Sequence, residues 1–402
     1  MSYKLPIIVF SHLRWDFVYQ RPQHLLSRLA RQRQVIFIEE PTCDKSRQPY
    51  MELRPQTENL LVCKPHVPLK QQPFGKKQTP TLVPLLRKLL QDQGIDDYLD
   101  DYIVWLYTPM ALPLARMLRP QAVVYDCMDE LSAFKFAPLD LLKHEAGLLK
   151  CADVVFTGGP SLYRAKQGMH HNVHCLPSSV EAAHFRQALS IEEAADQSAL
   201  PHPRLGFYGV IDERMDLDIL DAIAQAHPEW QIVMVGPVAK IDPKSLPKHP
   251  NLHFLGQRTY GELPSYLAGW DLCLLPFAQN ESTRFLSPTK TLEYMAAELP
   301  IVSTPIRDVA EPYGEIVYLG DTPQAFIAAC ERALAASPGE REARIRAGRA
   351  VLARTSWDRT AQQMEIEIDK AIEKRTVLPA KGIDALSSTN RITPAMQPAN
   401  PL

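Results

Sequence analysis

No run in this sequence approaches ~18 apolar residues, and the opening "MSYKLPIIVFSHLRW" holds only about four strongly apolar residues in a row, too few for an export signal. Neither a membrane span nor a secretory leader is expected, and a cytoplasmic location is. Cysteine pairing is missing too. The seven cysteines (Cys43, Cys63, Cys127, Cys151, Cys175, Cys273 and Cys330) are odd in number and include no C-x-x-C pair, which argues against a disulfide framework and a cysteine zinc cage. Nor is there an excess of one sign of charge: 44 basic against 46 acidic residues leave a formal net charge of −2, so no overall field draws nucleic acid. What is there is an ordinary globular balance, 46% hydrophobic and 22% charged, over 402 residues, more than one core usually serves. Two domains, and hence a cleft, are expected.

Short apolar runs alternate with helix-length periodic segments. "PIIVF", "RPQHLLSRLARQ" and "VIFIEE" read as a βαβ opening, with Leu25, Leu26 and Leu29 at helical spacing. "YIVWLY", "AVVYD", "DVVFTGG" and "NVHCLP" continue a mostly parallel sheet to about residue 180. A second series, "RLGFYGV", "WQIVMVG", "NLHFLGQ", "DLCLLPF", "LPIVST" and "EIVYLG", repeats the architecture without repeating the sequence. The expected α/β fold has an N-terminal Rossmann-like domain over 1–185, a linker over 186–203 and a C-terminal Rossmann-like domain over 204–355. A helix over 356–376, opened by Ser356, has no following strand to pack beside and is expected to cross back to the first domain. Residues 377–402, rich in Ser, Thr, Pro and Asn, read as a disordered tail.

The stretch 61–91 carries Lys64, Lys70, Lys76, Lys77, Arg87 and Lys88 and no acid, around the apolar "LVPLLRKLL". Two readings stand: a proline-rich loop and core-packing helix with a solvated basic face, or a peripheral lip facing a membrane. "HHNVH", with His170, His171 and His174, reads as a polar turn entering a strand, because no acidic or cysteine ligand lies beside it.

"SPTKTLEYMAAELPIVST" places Lys290 in the first turn of a helix and Glu293 one turn on. A cation at the positive end of a helix is mildly unfavourable unless an anion is shared there with the free backbone N–H groups. A solvated Lys290–Glu293 ion pair is one reading. The other is a donor site in which Ser287, Thr289, Lys290 and Thr291 meet phosphates and Glu293 accepts hydrogen bonds from ribose. Two strand ends join it: "GFYGVIDER" with Gly209 and Arg214, and "LGQR" with Gln257 and Arg258 beside Tyr260.

The ordered series "FYGVIDER", "FLGQRTYGELPSYLAGWDLCLLPF" and "TLEYMAAELPIVST" resembles the nucleotide-sugar domain of GT-B glycosyltransferases, specifically retaining glycosyltransferase family 4. "CLPSSVEAAHF" resembles the family's hinge stretch, with Ser178 and Ser179 in place of Asn-Gly, and "WDFVYQRPQHLLSRLA" and "YDCMDE" are similar to a subgroup acting on bacterial exopolysaccharide, teichuronic-acid-like or galactofuranose-containing glycans. The resemblance covers about residues 5–375. It implies two Rossmann-like domains facing across a cleft, a nucleotide-sugar co-substrate, retention, no cofactor and metal independence. Three departures stand out. Phe285 occupies the position of the family's first glutamate, the Gly-Gly loop after the first strand is replaced by "SHLRWDFVYQRP", and Val210 replaces the arginine after the glycine.

On the acceptor side, "FSHLRWDFVYQRPQHLL" puts His12, Trp15, Asp16 and Arg21 between a strand end and a helix opened by Pro22. Trp15 would stack on a sugar or fill core; Asp16 and His12 would assist proton transfer, or Asp16 would pair with Arg14 or Arg21. "AVVYDCMDELSAF" adds Asp126, Asp129 and Glu130, to orient the acceptor, steady an oxocarbenium-like transition state or cap a helix. That acidic cluster lacks D-x-D, so no metal is assigned. The expected activity is glycosyl transfer from a nucleotide diphosphate sugar, UDP-linked above all, to a glycan or lipid-linked glycan in envelope synthesis, at the inner face of the membrane if the basic lip binds there. The alternatives are a UDP-sugar epimerase and a catalytically silent binding protein.

Overall fold

The computed structural model describes residues 4–377 apart from 46–47, 69, 96–100 and 136; the tail expected over 377–402 lies outside the described residues except for Val377. The near-continuous apolar runs form strands buried on both faces, as parallel sheets require. In chain order the first sheet contains β1 (Ile7–Ser11), β2 (Val35–Glu39), β3 (Thr42–Cys43), β4 (Tyr50–Thr57), β5 (Leu60–Val67), β6 (Ile103–Leu106), β7 (Ala122–Cys127), β8 (Val154–Thr157) and β9 (Val173–Cys175). Their spatial order is β3-β5-β2-β1-β6-β7-β8-β9, parallel throughout, with β4 added antiparallel on β5. The second sheet, β10 (Arg204–Tyr208), β11 (Gln231–Val235), β12 (Leu252–Gly256), β13 (Leu272–Leu275), β14 (Ile301–Ser303) and β15 (Tyr318–Leu319), is also parallel and runs β12-β11-β10-β13-β14-β15.

Each order reverses direction at its first strand, β1 between β2 and β6, and β10 between β11 and β13. Ligands of open α/β sheets sit in the crevice beyond the carboxyl ends of the strands at such a switch point. Here the two switch points face each other, and residues from both sheets line one cleft of about 970 Å³.

The helix Trp357–Val377 crosses back to the first sheet, as expected. Trp357, Ala361, Met364, Ile368 and Ala371, spaced four, three, four and three residues apart, are all buried in one cluster with Leu25, Leu26 and Leu29 of the helix Arg21–Leu29. That spacing keeps one stripe of the helix on the core. Ser356 Oγ accepts from Arg359 N at 3.2 Å and starts the helix.

One reading needs correction. The first part of 61–91 is not loop: Leu60–Val67 is an interior strand, and Lys64 finds its acid across the hairpin in Glu52 at 3.3 Å. The helix Thr79–Asp92 turns Leu82, Leu86, Leu89 and Leu90 into the core, so its apolar side is already covered, while Lys76, Lys77, Arg87 and Lys88 stay exposed. His170 and His174 serve their own turn, with His170 Nε2 at 3.0 Å from Ala152 O and His174 Nε2 at 2.8 Å from Asn172 Oδ1.

Candidate functional site

The cleft wall contributed by the second sheet begins where β10 ends. Gly209 has φ +135° and Gly236, one residue past β11, has φ +143°, conformations that side-chain-bearing residues rarely adopt. A Cβ on Gly236 would stand 1.9 Å from Gly209 O, and one on Gly209 would stand 2.3 Å from Lys290 Cε. The two glycines therefore let two strand ends and one lysine pack together, and Lys290 enters the cleft over the Phe207 ring, 5.5 Å from its centroid. Gly236 was not singled out from the sequence, although it closes "WQIVMVG" as Gly209 closes "GFYG".

Lys290 and Glu293 both line the cleft, yet they form no ion pair within 4 Å among the described residues, which removes the solvated-pair reading. Glu293, 7% exposed, instead accepts a 2.6 Å hydrogen bond from the Tyr208 hydroxyl. Desolvation lowers the Lys290 pKa, with Arg214 acting the same way and Glu293 and Asp212 opposing it. Desolvation raises that of Glu293, against Lys290 and the Tyr208 hydrogen bond.

Arg214 lines the same wall, held by Asp212 through Nε at 2.9 Å and a terminal nitrogen at 2.8 Å. Ser287 and Thr289 also line the cleft. Thr291 does not: it is fully buried on the helix's inner side, and its hydroxyl has no protein partner among the described residues. The Arg258 side chain is taken up by Asp196 at 2.6 Å and the Tyr266 hydroxyl at 2.5 Å, and the Gln257 amide donates to Phe17 O across the cleft. What these two residues offer a ligand is mainly the backbone of the turn after β12.

On the opposite wall the structure separates the candidates sharply. Asp129 lines the cleft. Asp16 also lines it, but it pairs with Arg54 on β4 rather than with Arg14 or Arg21. His12 sits beside Asp129 and Lys240, and burial lowers its pKa to about 4, so it is neutral near pH 7. Asp126 and Arg21 are corrected. Their side chains, 0% and 1% exposed, form a buried pair with Nε 3.0 and 3.1 Å from the two carboxylate oxygens, while another Arg21 nitrogen donates to Leu176 O at 2.8 Å. This pair ties the helix after β1 to the ends of β7 and β9 at the floor of the cleft, which Arg21 lines and Asp126 does not. Glu130 is corrected too: it turns inward to Lys166 at 2.7 Å, and Lys166 in turn meets Glu145 at 2.8 Å. Trp15 borders the cleft but is nine-tenths buried, with its ring 5.0 Å from Phe37 in an edge-on contact, which is the core-filling of its two readings.

Aromatic residues from both halves close one end of the cleft. Tyr19 stacks on Tyr260 at 4.7 Å, Tyr260 on His184 at 4.4 Å, and His24 on Trp357 at 4.6 Å. Only Tyr260 was legible beforehand, because the others lie far apart in sequence. Phe285 packs against the core of the first sheet, and Glu281, 77% exposed, pairs outward with Arg284 at 3.6 Å, so neither places a carboxylate in the cleft.

Paired parallel α/β sheets, opposed switch points and a returning C-terminal helix define the GT-B fold. Residues 202–336 match the family described as Glycosyl transferases group 1. In sequence the chain is 28% identical over 251 residues to TuaH of Bacillus subtilis (strain 168), named as a candidate teichuronic acid biosynthesis glycosyltransferase; the match covers 57% of this chain and 62% of that protein's length. In structure it is similar to a sucrose-phosphate synthase from Thermosynechococcus elongatus, with TM-score 0.70, 16% identity and coverage of 92% of this chain and 100% of that one. It is also similar to an Anabaena protein, HepE, solved with UDP and glucose, with TM-score 0.62, 16% identity and coverage of 91% and 100%. Among the described residues no helix is long and apolar enough to cross a membrane.

Proposed function

We propose that this protein transfers a sugar from a nucleotide diphosphate sugar, UDP-linked above all, to a glycan or lipid-linked glycan acceptor in bacterial polysaccharide or cell-envelope synthesis. The observation that carries the proposal is the Lys290 ammonium, without an ion-pair partner among the described residues, seated on Gly209 one turn before the buried Glu293. In this reading Lys290 and Arg214 meet the diphosphate and take up charge as the glycosidic C–O bond breaks, stabilising the leaving group without a resident metal. Glu293 accepts from ribose, and the turns after β11 and β12 hold the base. Asp129, on the opposite wall, orients the acceptor hydroxyl and steadies the cationic sugar, with neutral His12 beside it and Asp16 at the rim. Retention follows from same-face attack, as in the family it resembles.

The relative's envelope role supports the acceptor class, and HepE's bound UDP supports the base. The exposed Lys70, Lys76, Lys77, Arg87 and Lys88 would hold the protein at the inner face of an anionic membrane. A second reading, donor binding without turnover, is favoured by Phe285, which leaves the first glutamate's position apolar. Thermal shift with UDP-, GDP- and dTDP-sugars, followed by product analysis with and without glycan acceptors, separates these readings. The transferase reading expects stabilisation by one donor and a glycosylated acceptor. Stabilisation with no turnover on any acceptor would favour the silent protein, and an altered sugar formed without acceptor would favour the epimerase.

A further inference from the structure

The Tyr208 hydroxyl donates to one oxygen of Glu293 and has no other hydrogen-bond partner among the described residues. Tyr208 is the last residue of β10 and is 4% exposed; its ring is parallel to Phe185 at 6.2 Å and edge-on to Tyr294 at 5.1 Å, and its N–H donates to the Tyr294 hydroxyl at 3.3 Å. The ring is therefore fixed by packing and the backbone by a hydrogen bond, so the hydroxyl has little freedom. Glu293 Oε2 accepts from it at 2.6 Å, while Oε1 has no protein partner among the described residues. An ionised carboxylate accepts at both oxygens; fixing one leaves the other as the acceptor presented to the ligand.

We propose that Tyr208 is a positioning residue that clamps Glu293 in one rotamer and in its ionised form, so that Oε1 is directed at the ribose hydroxyls of the donor. The inference rests on the donor reading above. Hydrogen bonding to the charged form of a carboxyl favours that form, so losing the hydroxyl raises the pH at which Glu293 gives up its proton.

The test compares wild type, Tyr208→Phe and Glu293→Gln by calorimetric titration with UDP and with 2′-deoxy-UDP between pH 5 and 9. Wild type is expected to prefer UDP over its deoxy analogue by about 10- to 150-fold, in line with one hydrogen bond to a charged group. Tyr208→Phe keeps the ring and its packing. It is expected to cut that preference to about two- to threefold and to move the acid limb of UDP affinity to higher pH, neither of which general loosening would do. Unchanged preference and limb in Tyr208→Phe, with both lost in Glu293→Gln, would overturn the positioning role alone. If UDP, GDP, CDP and ADP all fail to bind the wild-type protein, the donor reading falls and this inference with it.

Discussion

Replacing Lys290 with methionine keeps most of the volume over Phe207 and Gly209 and removes only the charge, so it separates what the ammonium does for the ligand from what it costs the free protein. The free protein holds that charge in a crowded wall, with no carboxylate within 4 Å and the Arg214 guanidinium acting on it. A half-buried charge without an ion-pair partner among the described residues is a liability, so Lys290→Met is expected to match or exceed wild type in unliganded stability. The pH dependence has a definite sign. Burial lowers the Lys290 pKa in the folded state, so between that lowered value and about 10.4 the unfolded chain binds more protons. Unfolding free energy therefore rises with pH across that window, and Lys290→Met should remove this contribution.

Ligand binding should move the other way. A hydrogen bond to a charged partner contributes about 1.5–3 kcal/mol, so the substitution is expected to weaken nucleoside diphosphate affinity about 10- to 150-fold. Thermal denaturation without ligand and calorimetric titration with UDP read the two effects separately. Affinity within twofold of wild type, or an unliganded protein destabilised by more than about 1 kcal/mol, would refute the claim that this ammonium is kept for an anion rather than for the fold.

Three further outcomes follow from the same structure. Asp126→Ala leaves the 1%-exposed Arg21 without its carboxylate and should cost about 3–5 kcal/mol in chemical denaturation, whereas a purely catalytic Asp126 would lose turnover at unchanged stability. His24, 1% exposed between Tyr19, Tyr260 and Trp357 and facing Glu181, Arg28 and His184, has its pKa lowered to about 3, mainly by desolvation. The unfolded chain takes up this proton below about 6.5, so stability falls with acid, and His24→Phe should recover about 2 kcal/mol of the loss between pH 7 and 5. Met364→Ala empties a fully buried site under the crossing helix and should cost about 2–5 kcal/mol, seen as a lower denaturation midpoint with an unchanged slope.

The layered fold was legible because most of the parallel strands fall in short apolar runs, and the crossing helix because its apolar stripe has no strand after it. The hairpin β4–β5 was not. "MELRPQT" alternates weakly and carries a proline, and strand identity there comes from pairing with β5, which is tertiary information. Lys290, Glu293 and Gly209 emerged because helix and strand ends leave local marks. The three residues that changed meaning, Arg21, Asp126 and Glu130, changed for one reason. Sequence places a residue near the cleft, but the partner it finds in three dimensions decides whether its side chain is free or engaged: Asp126 with Arg21, Glu130 with Lys166. Asp126 and Arg21 lie 105 positions apart, and nothing local in either segment announces that they meet.

The same logic bears on Phe285. Were it a worn catalytic site, its side chain would remain at the cleft; instead it packs on the first sheet's core while Glu281 faces solvent. An apolar contact joining the two halves fits a segment used for packing, and in the donor reading Asp129 and Glu293, one on each wall, are the carboxylates assigned to acceptor and ribose. Chemistry that proceeds with that pair must rely on stabilising the leaving group from Lys290 and Arg214 more than on a second carboxylate. That is why the charge at residue 290, rather than any acid, is where the proposal is most exposed to refutation.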